Sequence, residues 1–159
     1  MSTVNPVPEH LVTQPGQGRS IHVFGNEIVV RISSRDTGGA FTVFEARIDP
    51  QHGPPLHRHA EQEWWYIVEG EFRFQVDGRE VRAHAGDTVY APGGSVHTFQ
   101  NIGAGPGRTL TTMIPGGIEE FFAEVEKVAP RGAPPDPAKL IDIGRKYRQE
   151  LLGPPLGRR

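Results

Sequence analysis

From Ile21 to His97, apolar and polar residues mostly alternate with period two. Side chains on a β-strand point alternately to its two faces, so this alternation predicts half-buried strands. Ile28, Val30 and Ile32 alternate with Val29 and Arg31, and Phe41, Val43 and Glu45 alternate with Thr42, Phe44, Ala46 and Ile48. Trp64 to Val68 is an aromatic and β-branched run. Phe72, Phe74 and Val76 alternate with Glu71, Arg73 and Gln75. Asp77-Gly78 then reads as a two-residue hairpin turn, after which Glu80 to His84 runs back. Thr88 to Ala91, Thr98 to Gln100 and Leu110 to Ile114 complete the set. Strands this short and evenly spaced predict an all-β antiparallel sandwich or barrel.

The period changes after Pro115-Gly116-Gly117. Ile118, Phe121, Phe122 and Val125 fall at helical spacing, with Glu119 and Glu120 in the first turn, where the helix dipole favours acids. A Pro/Gly-rich connector runs from Ala129 to Pro135. A second helix opens with Asp136 as cap and Pro137 at its first position. Leu140, Gly144, Tyr147 and Leu151 mark one of its faces, and Gly153-Pro154-Pro155 is expected to end it. The resulting division is an extended polar arm over 1–19, a β-barrel over 20–116, a packed helix over 117–128, and a connector with a C-terminal helix over 129–159.

Composition narrows the classes of function. The chain has 159 residues, a length that fits one domain with its own core. Seventeen basic residues against 19 acidic ones give a net charge of −2, which offers no electrostatic footing for nucleic acid or an anionic membrane. There is no cysteine, so disulfides and thiolate metal sites are excluded. The first nine residues lack the basic-then-apolar pattern of a signal peptide, and no apolar run approaches the roughly 20 residues of a spanning helix. These readings predict a soluble, cytoplasmic protein.

The candidate chemistry lies in His57-Arg58-His59-Ala60-Glu61-Gln62-Glu63. On a strand, His57 and His59 point the same way and Arg58 the other, and Glu63 has the same parity. Two imidazoles and a carboxylate converging on one point suit a divalent transition metal. His97 follows downstream in a Pro/Gly-rich stretch.

Two segments carry a family resemblance. The first is His57-x-His59, three residues, Glu63, six residues, Gly70. The second is Gly86, Pro92-x-Gly94, His97 and Asn101. Their spacing resembles the two motifs of the cupins across about residues 40 to 115. One departure is visible: the family pattern has Gly six residues before the first His, where this chain has Gln51, and Gly53 is the expected substitute for that turn. The resemblance implies a double-stranded β-helix, or jelly-roll barrel, with C-terminal α-helices. It implies one divalent metal ion per chain (Fe, Mn, Ni, Co, Cu or Zn) held by His57, His59, Glu63 and His97. It also implies a homodimer, with the arm from Ser2 to Arg19 available for strand exchange.

Other residues carry less. His10, His22, His52 and His84 match neither motif and read as surface or turn residues. Trp65 shares the Glu63 face and reads equally as substrate platform or core, whereas Trp64 faces away and reads as packing. Phe72, Phe74 and Phe99 are expected in the barrel interior. Within the cupins, the chain is similar to small single-domain members of the quercetin 2,3-dioxygenase type. That similarity implies a metal-dependent dioxygenase using O₂ on a small phenolic or enolisable substrate, with Glu63 as general base. Two other readings stay open: a redox-neutral, metal-assisted isomerase, cyclase or lyase, and a non-catalytic small-molecule-binding protein.

Overall fold

The computed structural model describes residues 12–129 and 135–157. The first eleven residues of the N-terminal arm, with any strand exchange they would make, lie outside these, as does most of the Pro/Gly-rich connector.

Among the described residues, ten strands precede the helices: β1 (Arg19–Val23), β2 (Asn26–Ile32), β3 (Thr42–Ile48), β4 (Leu56–Arg58), β5 (Gln62–Glu69), β6 (Glu71–Val76), β7 (Arg79–His84), β8 (Thr88–Ala91), β9 (Val96–Asn101) and β10 (Gly107–Ile114). Then come α1 (Ile118–Val128), α2 (Pro137–Lys146) and a last strand, β11 (Glu150–Gly153). The strands form two antiparallel sheets that face each other. One has six strands in the order β1-β2-β3-β10-β5-β8, and the other has five in the order β11-β4-β9-β6-β7. This is the all-β jelly-roll architecture with two helices appended.

The alternation in the sequence explains the layering. Phe44, Ala46, Ile48, Trp65, Ile67, Phe72, Phe74 and Phe99 all turn into the space between the sheets and are buried. Trp65, Phe74 and Phe99 stack with ring centroids 5.1–6.0 Å apart, within the range of favourable aromatic packing. The Asp77-Gly78 hairpin forms as expected, with φ of 47° and 78°. Gln51 itself takes the left-handed backbone, with φ of 67°. Gly53 therefore does not replace the missing turn glycine. It has a different job, because a Cβ there would lie 1.9 Å from the carbonyl oxygen of Phe99.

Arg73 alternates outward, yet it is buried. Its guanidinium donates to Gln100 Oε1 at 2.8 Å and to the Gly157 carbonyl at 2.6 Å, so the C-terminal tail covers this part of the outer sheet face.

Helix α1 lies against β1 and buries Ile118, Phe121, Ala123 and Val125. Phe122 meets Phe44 edge-on at 5.4 Å. The Glu119 carboxylate is also buried and accepts hydrogen bonds from Ser34 N, Ser34 Oγ and Thr42 Oγ1, which fastens the helix start to the β2–β3 connection. In α2 the Asp136 side chain caps Ala138 N at 2.9 Å, with Pro137 in the first turn.

The end of α2 corrects the sequence reading. The helix stops at Lys146, and Leu151 belongs to β11, which pairs with β4. Arg148 adopts φ of 56°, Gln149 N reaches the Gly144 carbonyl at 2.8 Å, and Arg148 N reaches Arg145 O at 3.2 Å. This is the Schellman bond pattern, with arginine where glycine is usual. The missing glycine hid the stop. Among the described residues, no helix is long and apolar enough to cross a membrane.

Candidate metal centre

His57 sits on the short strand β4, His59 just beyond it, Glu63 on β5 and His97 on β9. Register brings them together: His57 pairs directly with His97 across β4 and β9. The ligand atoms of all four lie within 4.8 Å of one another. The ring centroids are 4.4 Å apart for His57–His97, 4.8 Å for His59–His97 and 5.4 Å for His57–His59.

The backbone fixes the tautomer of each imidazole. His57 Nδ1 lies 2.7 Å from the Pro55 carbonyl, His59 Nδ1 3.0 Å from the Glu61 carbonyl, and His97 Nδ1 3.1 Å from the Ser95 carbonyl. A carbonyl only accepts, so each Nδ1 carries a hydrogen, and in its neutral form each ring leaves Nε2 as the lone-pair nitrogen that could bind an electrophile. Glu63 Oε2 lies 3.1 Å from Nε2 of both His59 and His97. Three imidazole nitrogens and one carboxylate thus converge in a form that could hold a divalent transition metal.

Burial and close contacts set the electrostatics of the cluster. Burial, with help from His97, lowers the His57 pKa to about 3. Burial also works against a charge on His59, but hydrogen bonds and charge from Glu61 and Glu63 outweigh it and raise that pKa to about 9. Burial would raise Glu63, yet the hydrogen bonds from His59 and His97 prevail and lower it to about 2.

The cluster opens into a narrow cavity that leaves about 70 Å³ for the centres of water-sized molecules. Its walls are mainly apolar, with Phe44, Trp65, Phe99, Phe121 and Phe122 among them. Trp65 thus serves as both core and wall: it is fully buried, and its ring lies 5.7 Å from that of His97. Trp64 faces outward from β5, half-buried. His52 packs beside Gly25 and does not line the cavity. His84 is exposed near Glu71 and Asp87, and His22 lies near Glu126. His10 lies outside the described residues.

Sequence reasoning missed several neighbours of the cluster. Glu61 places a carboxylate oxygen 3.4 Å from His59 Nδ1, on the side away from Glu63. Its alternation with His59 and Glu63 was the available signal. Gln149 and Leu151 line the cavity from the last strand, and Asn26 lines it from β2. Nothing in the spacing of the motifs points to those three.

Comparison with known proteins agrees with this geometry. Residues 44–113 match the cupin domain family model. Over 91 residues, 57% of this chain, the sequence is 25% identical to quercetin 2,3-dioxygenase of Bacillus subtilis (strain 168), covering 27% of that protein. A predicted oxalate decarboxylase from Thermotoga maritima superposes with a TM-score of 0.56 at 25% identity, covering 69% of this chain and 98% of the other. An RmlC-like cupin from Shewanella frigidimarina gives 0.61 at 19%, covering 70% and 96%. The chain spans 27% and 49% of the lengths of the curated relatives it matches. The jelly-roll barrel, with both motifs in place within the matched residues 44–113, thus carries a cupin domain.

Proposed function

We propose that the cavity is the active site of a metal-dependent oxidoreductase, a dioxygenase acting on a small phenolic or enolisable substrate. The observation that carries this reading is the backbone locking of three imidazoles by Nδ1, which turns each Nε2 toward one point beside a buried carboxylate, at the end of an apolar aromatic cavity. The local similarity to quercetin 2,3-dioxygenase supports the choice of chemistry. His57, His59, Glu63 and His97 would hold one divalent ion. Such an ion supplies Lewis-acid polarisation of a bound oxygen and, if redox-active, a path for electrons to O₂.

The rest is done by the chain. Three neutral imidazoles and one carboxylate leave a divalent site near +1, which favours an anionic oxygen such as a phenolate or enolate. Among the described residues, Glu63 is the only carboxylate lining the cavity, and so the group placed to accept a proton from a substrate hydroxyl. Trp65, Phe44, Phe99 and Phe121 exclude water and hold the flat apolar body of the substrate.

The test is to load the protein separately with Fe, Mn, Co, Ni, Cu and Zn and to measure oxygen uptake with a flavonol and with simpler phenols. Oxygen consumption matched to substrate loss supports the reading. Product formation unchanged under strict anaerobiosis would replace it with a redox-neutral isomerase, cyclase or lyase. Ligand-induced melting shifts without product from any metal form would make the chain a binding protein.

A further inference from the structure

Asn26 opens β2 immediately after the Phe24-Gly25 turn and shares the inward parity of Ile28 and Val30. It is 94% buried and lines the cavity, and its Oδ1 has no hydrogen-bond partner. Its neighbours in that wall, Phe24, Ile28 and Ile48, are apolar. A buried amide oxygen left unsatisfied costs stability, whereas a leucine, branched at the same carbon, would leave no polar atom to satisfy.

A second polar feature continues from it. Thr109 and Thr111 face inward on β10, both fully buried, and share one hydroxyl contact at 3.3 Å. One hydrogen cannot serve in both directions, so one of the two hydroxyls keeps a donor uncommitted. The register sets these groups in a row. Met113 pairs with Glu63, Thr111 with Trp65 and Thr109 with Ile67, so the hydroxyls step away from the metal-ligand cluster by roughly 7 and 13 Å along the strand. Thr109 also pairs with Ala46, and Ala46 with Ile28, which puts Asn26 one inward position further on. Asn26, Ala46 and Thr109 all line the same cavity.

We propose that Asn26 is a substrate-recognising residue that binds a hydroxyl carried by the ligand at the end remote from its metal-binding oxygen. This rests on the reading of the cluster as a metal-centred ligand site. The ligand class is a slender amphipathic molecule: an acidic oxygen at one end, an apolar body, and a hydroxyl at the other. A hydroxyl both donates and accepts, so it satisfies Asn26 whichever amide atom faces it.

The probes are matched chelators bound to zinc-loaded protein, with a two-ring body long enough to span the row from the ligand cluster to Asn26: 4′-hydroxymethyl and 4′-hydroxyethyl biphenyl-4-carbohydroxamate against their 4′-ethyl and 4′-propyl counterparts. Calorimetry should show at least one hydroxylated probe binding about tenfold tighter than its alkyl match, the scale of one buried hydrogen bond. Asn26→Leu should erase that preference while the ligand-free melting temperature stays level or rises. Asn26→Ala should erase the preference as well, and serves if the leucine variant does not fold. Equal binding of each pair by the wild type, or a retained preference in a folded variant, overturns the assignment and leaves the metal-ligand reading standing. A folded Asn26→Leu protein with a markedly lower melting temperature also overturns it, by making Asn26 structural. Absence of binding by every probe overturns the metal-ligand reading and this assignment together.

Discussion

Two sets of residues close the cavity, and they come from different parts of the chain. The metal-ligand end is built by β4, β5 and β9, all inside the span 44–113 that matches the cupin family model. The facing walls come from outside that span: Phe24 and Asn26 from the first hairpin, Ile118, Phe121 and Phe122 from α1, and Gln149 and Leu151 around β11. The inner set is fixed by backbone carbonyls and strand register. The outer set is assembled from elements at the two ends of the chain: β2 and β11 add by pairing to β3 and β4, while α1 is held by side-chain packing and by its buried carboxylate, Glu119. The difference teaches that the shared frame supplies the reactive centre, while the additions shape the space that a ligand must fit.

That division can be broken from either side. His59→Ala should remove bound metal and with it about 4 kcal/mol of metal-dependent stability at a thousandfold excess of metal over Kd. Elemental analysis, with melting in the presence and absence of chelator, checks it, and full metal content would dismiss the assignment. Phe121→Ala should cost about 3 kcal/mol, the low end of the usual range because the ring already borders a cavity. Metal content should stay at the wild-type level, and a metal-free Phe121→Ala protein would mean that the outer wall supports the centre after all.

Glu119→Gln should cost about 1–2 kcal/mol at neutral pH, the difference between charged and neutral hydrogen-bond acceptors. Burial would raise the Glu119 pKa, but hydrogen bonds from Ser34 and Thr42 hold it below the ordinary 4.5. The carboxylate therefore stabilises the fold above the unfolded-state value, and that contribution is lost as pH falls through the lowered folded value. Denaturant midpoints of wild type and variant should converge below about pH 4.5, and a gap independent of pH would contradict the ionised role. Gln51→Gly, inside the frame, should stabilise by about 0.5–1 kcal/mol by relieving a left-handed non-glycine residue. A lower melting temperature would show that the Gln51 side chain contributes more than its strain costs.

The frame was legible in the sequence because strand alternation and motif spacing are local. His57, His59 and Glu63 share parity, and the second motif lies at fixed offsets, so the fold and the grouping of four residues could be read from one chain. The outer wall was not legible for physical reasons. Asn26 looks like a turn residue until pairing shows it facing inward. Gln149 and Leu151 looked helical because Arg148, and not glycine, takes the left-handed position that ends α2. Gln51 looked like a displaced turn whose role Gly53 would assume, yet it bears the positive φ itself.

Strand β4 has only three residues, and it is gripped on both sides, by β9 through His57–His97 and by β11 through His57–Leu151. A slip of one residue would swing His57 out to solvent and turn Arg58 inward. The four-residue cluster exists in one register alone. Affinity for an ion is thereby a fidelity check on strand pairing: a chain that misaligns this short segment forfeits a ligand, and a correctly aligned chain is the one a metal would retain.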